Sequence, residues 1–273
     1  AWTLAICISV LTTYQHHFID IPTGALLGVF CVWAWPLERR VSMPRTWQLT
    51  TLPRRRALAW RYAGGAALLA ALAVSIGGAG LWLFWPAVSC ALVSVNYLGF
   101  GARGFQMDVD GRMAWPARWL LAPYRMAALI NGWLWTHRLP PLREVLPGVS
   151  IGTLSRLHDM PAQQATLVSL CAELQAPASA RCVCLPWLDL VPASPVALRR
   201  AATAIEHAVQ LGRPVVVGCA LGFSRSVAAL ACWLARSGHM RDTDAALAHL
   251  RQAHPQMVLS DEWRAALRQA AAR

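Results

Sequence analysis

Four apolar stretches occupy most of the chain before residue 103: a fragment over 1–13, then about 18–36, 57–76 and 80–99, the last two joined by Gly77-Gly78-Ala79-Gly80. Crossing a bilayer takes roughly 20 apolar residues, so the three longer stretches read as transmembrane α-helices, the last two as a hairpin. Composition agrees, because 56% of the 273 residues are hydrophobic and 14% charged, against about a quarter charged in an ordinary soluble protein. The opening stretch starts on Ala1 and has neither a basic leader nor a small-residue cleavage site. It reads as the tail of a spanning helix that begins upstream, in a chain shortened at its N-terminus.

The formal charge of +12 raises the question of nucleic acid, and the position of the charge answers it. Arg39, Arg40, Arg45, Arg54, Arg55, Arg56 and Arg61 fall in the loop 37–61, opposed only by Glu38. That is the pattern of a cytoplasmic loop between membrane spans, and no basic-aromatic recognition module accompanies it, so no nucleic-acid partner is expected. With that loop cytoplasmic, the hairpin leaves and returns, and everything after residue 100 is cytoplasmic. Residues 117–136 are rich in Trp and Leu but include Arg118, Arg125 and Asn131. An amphipathic helix lying in the membrane interface is preferred there over a further span, which would put the C-terminal part on the other side.

Eight cysteines are present. Cys7, Cys31 and Cys90 lie in apolar spans and Cys182 and Cys184 alternate along an expected strand. No pair has metal-ligand spacing, so free thiols are expected, with no metal site and no cofactor.

From Pro140 the pattern changes. Short β-rich runs at 148–152, 181–187 and 214–218 alternate with helical stretches at about 161–174, 194–211, 225–237, 241–252 and 261–271. Strands alternating with helices give an α/β domain, a sheet flanked by helices. The chain thus divides into an N-terminal apolar segment (1–36), an Arg-rich loop with the hairpin and the Trp-rich segment (37–139), and an α/β domain (140–273).

The chemistry sits in Val215-Val216-Val217-Gly218-Cys219-Ala220-Leu221-Gly222-Phe223-Ser224-Arg225-Ser226, read as strand, tight loop and helix. A loop entering a helix N-terminus turns unpaired N–H groups inward and makes an anion cradle. A cysteine at its mouth is favoured as thiolate and becomes a nucleophile. Arg225 can fold back and grip two phosphate oxygens, Gly222 permits the tight turn, and Ser226 can hydrogen-bond the departing sulfur. The leaving oxygen needs a proton, and Asp189, in a turn after the strand 181–187, is the best source. Asp159, Asp242 and Asp244 lack that setting.

The pattern C-x2-G-x2-R-S with an upstream Asp loop resembles the cysteine-dependent dual-specificity protein tyrosine phosphatases over residues 145–273. The resemblance implies Cys219 as nucleophile, Ala220, Leu221, Gly222, Phe223 and Ser224 as phosphate cradle, Arg225 as clamp, Ser226 as helper of the leaving thiolate and Asp189 as general acid. That family usually has His before the cysteine, where this chain has Gly218. The loop is also uncharged at Ala220, Leu221 and Phe223, unlike the Lys-rich loops of phosphatases for polyphosphorylated inositides.

A second motif lies near the N-terminus, where Ser9, His16 and Asp20 have the spacing S-x6-H-x3-D. It resembles the last motif of the type 2 phosphatidic acid phosphatase superfamily, which implies His16 as nucleophile and Asp20 as its orienting carboxylate. Val10 replaces that family's Arg, and its earlier motifs are absent. Together the two resemblances imply a bacterial fusion of both phosphatase types. The expectation is a multi-pass protein of the bacterial inner membrane with a cytoplasmic, metal-independent phosphatase domain. Its substrate would be a phosphorylated protein, or a lipid or small-molecule phosphate at the membrane surface. Two alternatives stand beside it: lipid phosphate chemistry by the membrane part in a longer chain, and an inactive phosphate-binding module. His207 and His254 are read as surface histidines.

Overall fold

Val215, Val216 and Val217 are β-branched, and a run of such residues suits a strand covered on both faces. They lie in the middle of the sheet. The computed structural model describes residues 20–36, 48–159, 165–177 and 181–272, with the isolated positions 2, 5, 6 and 9. Among the described residues the sheet has five strands, β1 (Leu142–Leu146), β2 (Val149–Thr153), β3 (Thr166–Cys171), β4 (Arg181–Trp187) and β5 (Val215–Cys219), in the order β1-β2-β5-β3-β4. β2, β5, β3 and β4 run parallel, and β1 pairs antiparallel with β2 at one edge.

The helices are α1 (Asp20–Ala34), α2 (Pro53–Ile76), α3 (Phe84–Val95), α4 (Trp115–Leu120), α5 (Ala122–Thr136), α6 (Pro195–Gln210), α7 (Arg225–Arg236), α8 (Thr243–Ala253) and α9 (Asp261–Ala271). Side chains alternate across the sheet. Val215 and Val217 join Ile151, Val168 and Leu170 in a core closed by Leu198 and Ile205 of α6 and by Leu230 and Leu234 of α7. Val216 belongs to a second cluster, with Leu154, Leu157 and Leu167, against which Ala128 and Leu129 of α5 pack.

The strands expected at 148–152, 181–187 and 214–218 form within one residue of those bounds, as do the helices after residue 194 within two, α8 among them. One expectation is overturned. The helix read over 161–174 is a strand over its described core, because Thr166–Cys171 forms β3 between β5 and β4. All six residues of β3 are buried. An apolar run that short, filling both faces, mimics a helical stripe in sequence, and pairing on both edges decides for the strand. β1, an edge strand after Pro140-Pro141, was not expected either.

In the N-terminal half, α2 and a second helical stretch from Gly78 to Phe105 are long and apolar enough to cross a membrane, by length and composition. The stretch expected over 18–36 forms α1, of 15 residues. Residues 117–136 form the end of α4 and then α5, whose 15 residues fall short of a span of roughly 20. Trp115, Trp119, Trp133 and Trp135 are exposed, in keeping with an interfacial helix. These helices share a core with the sheet, because Leu58, Leu92, Tyr97, Phe105 and Leu121 cluster with Ala172, Leu188 and Val191. Cys31, Cys90, Cys171, Cys182, Cys184, Cys219 and Cys232 are unpaired thiols.

Candidate active site

Open parallel sheets place their ligand sites beyond the carboxyl ends of the strands, and here four ends converge. Cys219 closes β5 opposite Thr153 at the end of β2. Glu173 lies just past the end of β3 and Asp189 just past the end of β4.

From Cys219 the chain turns tightly into α7, with Gly222 at φ +77°, a conformation that L side chains avoid. The loop is held from outside by its carbonyls. Ser155 Oγ donates to the Ala220 carbonyl at 3.0 Å, Thr153 Oγ1 to that of Leu221 at 3.3 Å, and the Val258 N–H to that of Phe223 at 3.0 Å. With the carbonyls bound outside, the amides of the loop are left for the inside, and the Gly222 N–H donates to Cys219 Sγ at 3.2 Å. Ser224 caps α7 without a side-chain hydrogen bond, so the first-turn amides of that helix remain available to an anion.

Arg225 opens α7 and is 2% exposed. Its guanidinium makes a two-pronged contact with Glu173, at 2.9 Å to Oε2 and 2.5 Å to Oε1, and donates to the Trp187 carbonyl at 3.0 Å. Asp189 Oδ1 lies 3.0 Å from the same guanidinium. Burial works against the charge on Arg225, but Glu173 and Asp189 outweigh it and hold the guanidinium protonated. The two acids differ. Burial would raise the pKa of Glu173, yet the charge and hydrogen bonds of Arg225 pull it below the ordinary carboxylate value. For Asp189 burial prevails, reinforced by Glu173 and opposed by Arg225, and its pKa is raised. One carboxylate is a fixed counter-ion and the other is poised to carry a proton.

The loop bearing Asp189 is itself constrained. Its carbonyl accepts from Tyr97 Oη at 2.9 Å, and the next residue, Leu190, sits at φ +58°. A left-handed leucine costs roughly 1–2 kcal/mol, and the surrounding packing holds it there.

The structure places Cys219 and the loop 220–224 between β5 and α7, and brings Arg225 to 3.0 Å from Asp189. Ser226 is fully buried, and its hydroxyl has no hydrogen-bond partner among the described residues. Asp242 caps α8 by accepting from Ala245 N at 2.7 Å, and Asp244 faces Arg268 at 3.8 Å, both away from this site. Asp159 ends a 3-10 turn. His16 lies outside the described residues, and Asp20 begins α1.

Sequence reasoning missed Glu173, because the stretch around it was read as helix and a strand-end acid was hidden inside it. Its replacement by glutamine is expected to lower stability by about 3–5 kcal/mol, the cost of stripping a buried charge of its main partner. A falling thermal midpoint of the full chain would register it.

The surface assignment of His254 is also corrected, while His207 is exposed as expected. His254 is fully buried, its ring 5.4 Å from that of Phe223 and hydrogen-bonded to the backbone at Gly222. A Cβ at Gly218 would lie 2.3 Å from Leu154 Cδ1, so a side chain before Cys219 would have to displace that of Leu154. His254, just past the end of α8, braces the loop. Burial, then the neighbouring Arg143, lowers its pKa from 6.5 to about 4. The unfolded chain thus binds a proton that the folded one refuses between those values. Stability from this group is present above pH 6.5 and drains away toward pH 4, by up to about 3 kcal/mol. Thermal midpoints measured across that window should fall, and fall less steeply in His254→Gln.

Above the loop lies a cavity of about 430 Å³. Glu173, Asp189, Ala220 and Leu221 line one part of it. Tyr62 and Leu69 of α2, Pro86 and Cys90 of α3, and Tyr124 and Ala127 of α5 line the rest. Tyr62 stacks on Tyr97 at 5.6 Å and meets Tyr124 edge-on at 5.7 Å, so three of the chain's four tyrosines gather beside the acids.

No family model matches the chain, and no curated protein matches it. Among solved structures it is similar to Tk-PTP in the active form, at 21% identity and a TM-score of 0.44, over 49% of this chain and 97% of that one. It is also similar to a human tyrosine phosphatase-like serine/threonine/tyrosine-interacting protein (19% identity, TM-score 0.41, 46% of this chain and 92% of that one). A third likeness is to PTPMT1 in complex with PI(5)P, with 14% identity and a TM-score of 0.41, over 48% of this chain and 95% of that one. With scores below 0.5, these likenesses leave the chemistry to be argued from the loop geometry.

Proposed function

We propose that the chain is a membrane-anchored, cysteine-dependent phosphatase that hydrolyses phosphate monoesters through a cysteinyl-phosphate intermediate on Cys219. One observation carries the reading: a sulfur that accepts from the amide of its own loop, three residues on, with a buried guanidinium at the start of the following helix. That is an anion site with a nucleophile at its floor.

In the first step Cys219 Sγ attacks phosphorus, the S–P bond forms and the bond to the ester oxygen breaks. Protonated Asp189 gives its proton to the departing oxygen. The loop amides and Arg225 take the charge on the equatorial oxygens. In the second step Asp189 removes a proton from water as it attacks, the S–P bond breaks, and thiolate and inorganic phosphate are released. Arg225 is shared between Glu173 and Asp189. A bound phosphate competes for the face that Asp189 holds, freeing the acid for the leaving group. Anchoring is supported by the two apolar helices long enough to cross a bilayer and by the arginine-rich segment that precedes them.

The test is turnover of p-nitrophenyl phosphate by the full chain in the presence of a chelator. Steady release, with acid-stable label trapped on Cys219 after quenching, is the expected result. Phosphate binding without any release would make the chain an inactive phosphate-binding module.

A further inference from the structure

The cavity beside Ala220 and Leu221, the two residues that follow Cys219, is unusual in what walls it. Tyr62 and Leu69 of α2, and Pro86 and Cys90 of α3, line it. These belong to the helices that are long and apolar enough to cross a membrane. Between Arg61 and Arg103 the chain carries no charged residue. The same hairpin turns Trp60, Leu68, Leu72, Val74, Ile76 and Trp82 outward, all more than 40% exposed. An apolar surface of that extent needs a cover, and the exposed Arg56 and Arg61 at its foot suit anionic headgroups. The hairpin thus has one face for lipid and one for the catalytic cavity, and Leu68 and Leu69 are neighbours on the two.

We infer that the substrate is a membrane lipid phosphomonoester, its phosphate seated in the Cys219 loop and its apolar chain lying along α2 and α3. This rests on the phosphatase reading above and adds the substrate class. A phosphorylated side chain on a folded protein has no use for an apolar wall beside its phosphate. An acyl chain does, and it gains free energy from the contact along a stretch, 62–102, that carries no charged residue.

The test uses the full chain in phosphatidylcholine vesicles. Ethyl, butyl, hexyl and octyl phosphate have nearly the same leaving-group basicity, so differences in kcat/KM among them report binding of the chain. Full burial of a methylene corresponds to about a fourfold gain, and kcat/KM is expected to rise roughly 10²- to 10³-fold from ethyl to octyl. Dioleoyl phosphatidate in the vesicle should be cleaved in preference to a soluble phosphotyrosine peptide. Leu69→Trp fills the cavity and is expected to lower the octyl-to-ethyl ratio at least tenfold, with Ala127→Phe as the independent variant should Leu69→Trp fail to fold.

A flat series, alongside Cys219-dependent release from p-nitrophenyl phosphate, overturns the inference and leaves the phosphatase reading intact. So does a tenfold preference for the peptide. A rising series with untouched vesicle lipid overturns the membrane source in favour of a soluble amphiphile. Failure to hydrolyse any of these esters removes the phosphatase reading and the inference with it.

Discussion

Cys219→Ser is expected to lower phosphate release on the order of 10⁴- to 10⁶-fold, the scale on which removal of a covalent nucleophile acts. A serine hydroxyl is a far weaker nucleophile toward phosphorus than a cysteine sulfur. The anion cradle should survive, since its carbonyls are held by Ser155, Thr153 and Val258 and its guanidinium by Glu173. Isothermal titration with inorganic phosphate, set beside kcat on p-nitrophenyl phosphate, separates the two functions. Retained binding with lost turnover is the predicted outcome. Turnover that persists in the variant would place the chemistry elsewhere, and the motif at His16 and Asp20 would then become the first place to look.

The effect of Asp189→Asn should depend on the ester. Alkyl phosphates release a strongly basic alkoxide and need the proton, so their kcat/KM is expected to fall about 10²- to 10⁴-fold. p-Nitrophenyl phosphate releases an oxygen that departs unaided, and its loss should be much smaller. The pH profile carries the sign. Asp189 must be protonated in the first step, and burial raises its pKa while Glu173 adds to that and Arg225 opposes it. Activity on an alkyl ester should therefore hold to a higher pH than an ordinary aspartate allows, then fall as pH rises through that pKa. In the Asn variant this alkaline limb should vanish. An equal loss on both esters with an unchanged limb would mean that the proton comes from another group.

The loop from Cys219 to Arg225 was readable because its parts are adjacent in sequence: a β-branched run, a glycine able to turn, and an arginine where a helix begins. Asp189 was readable for a related reason, since turn residues follow a strand that announces itself by β-branched and alternating positions. Glu173 was not. Residues 165–174 present apolar spacing compatible with either period, and the choice was made by β5 and β4 pairing with β3 on both sides. His254 lies 35 positions beyond Cys219 and nothing local marks it. Only the packing of Leu154 into the space beside Gly218 shows why the loop is braced from just past α8 instead of from the residue before the cysteine.

Local order along the chain, then, determined the loop from Cys219 to Arg225, the place of Asp189 after a strand, the apolar hairpin and most of the strands and helices, because periodicity, turn chemistry and helix entry act over a few residues. Tertiary structure alone decided which carboxylates pair with Arg225, how the loop is held, and that the apolar helices wall a cavity beside Ala220 and Leu221. Those features depend on contacts between segments up to 159 positions apart in the chain. Their energetics come from burial and desolvation, which no stretch of sequence expresses until the other side of the contact is in place.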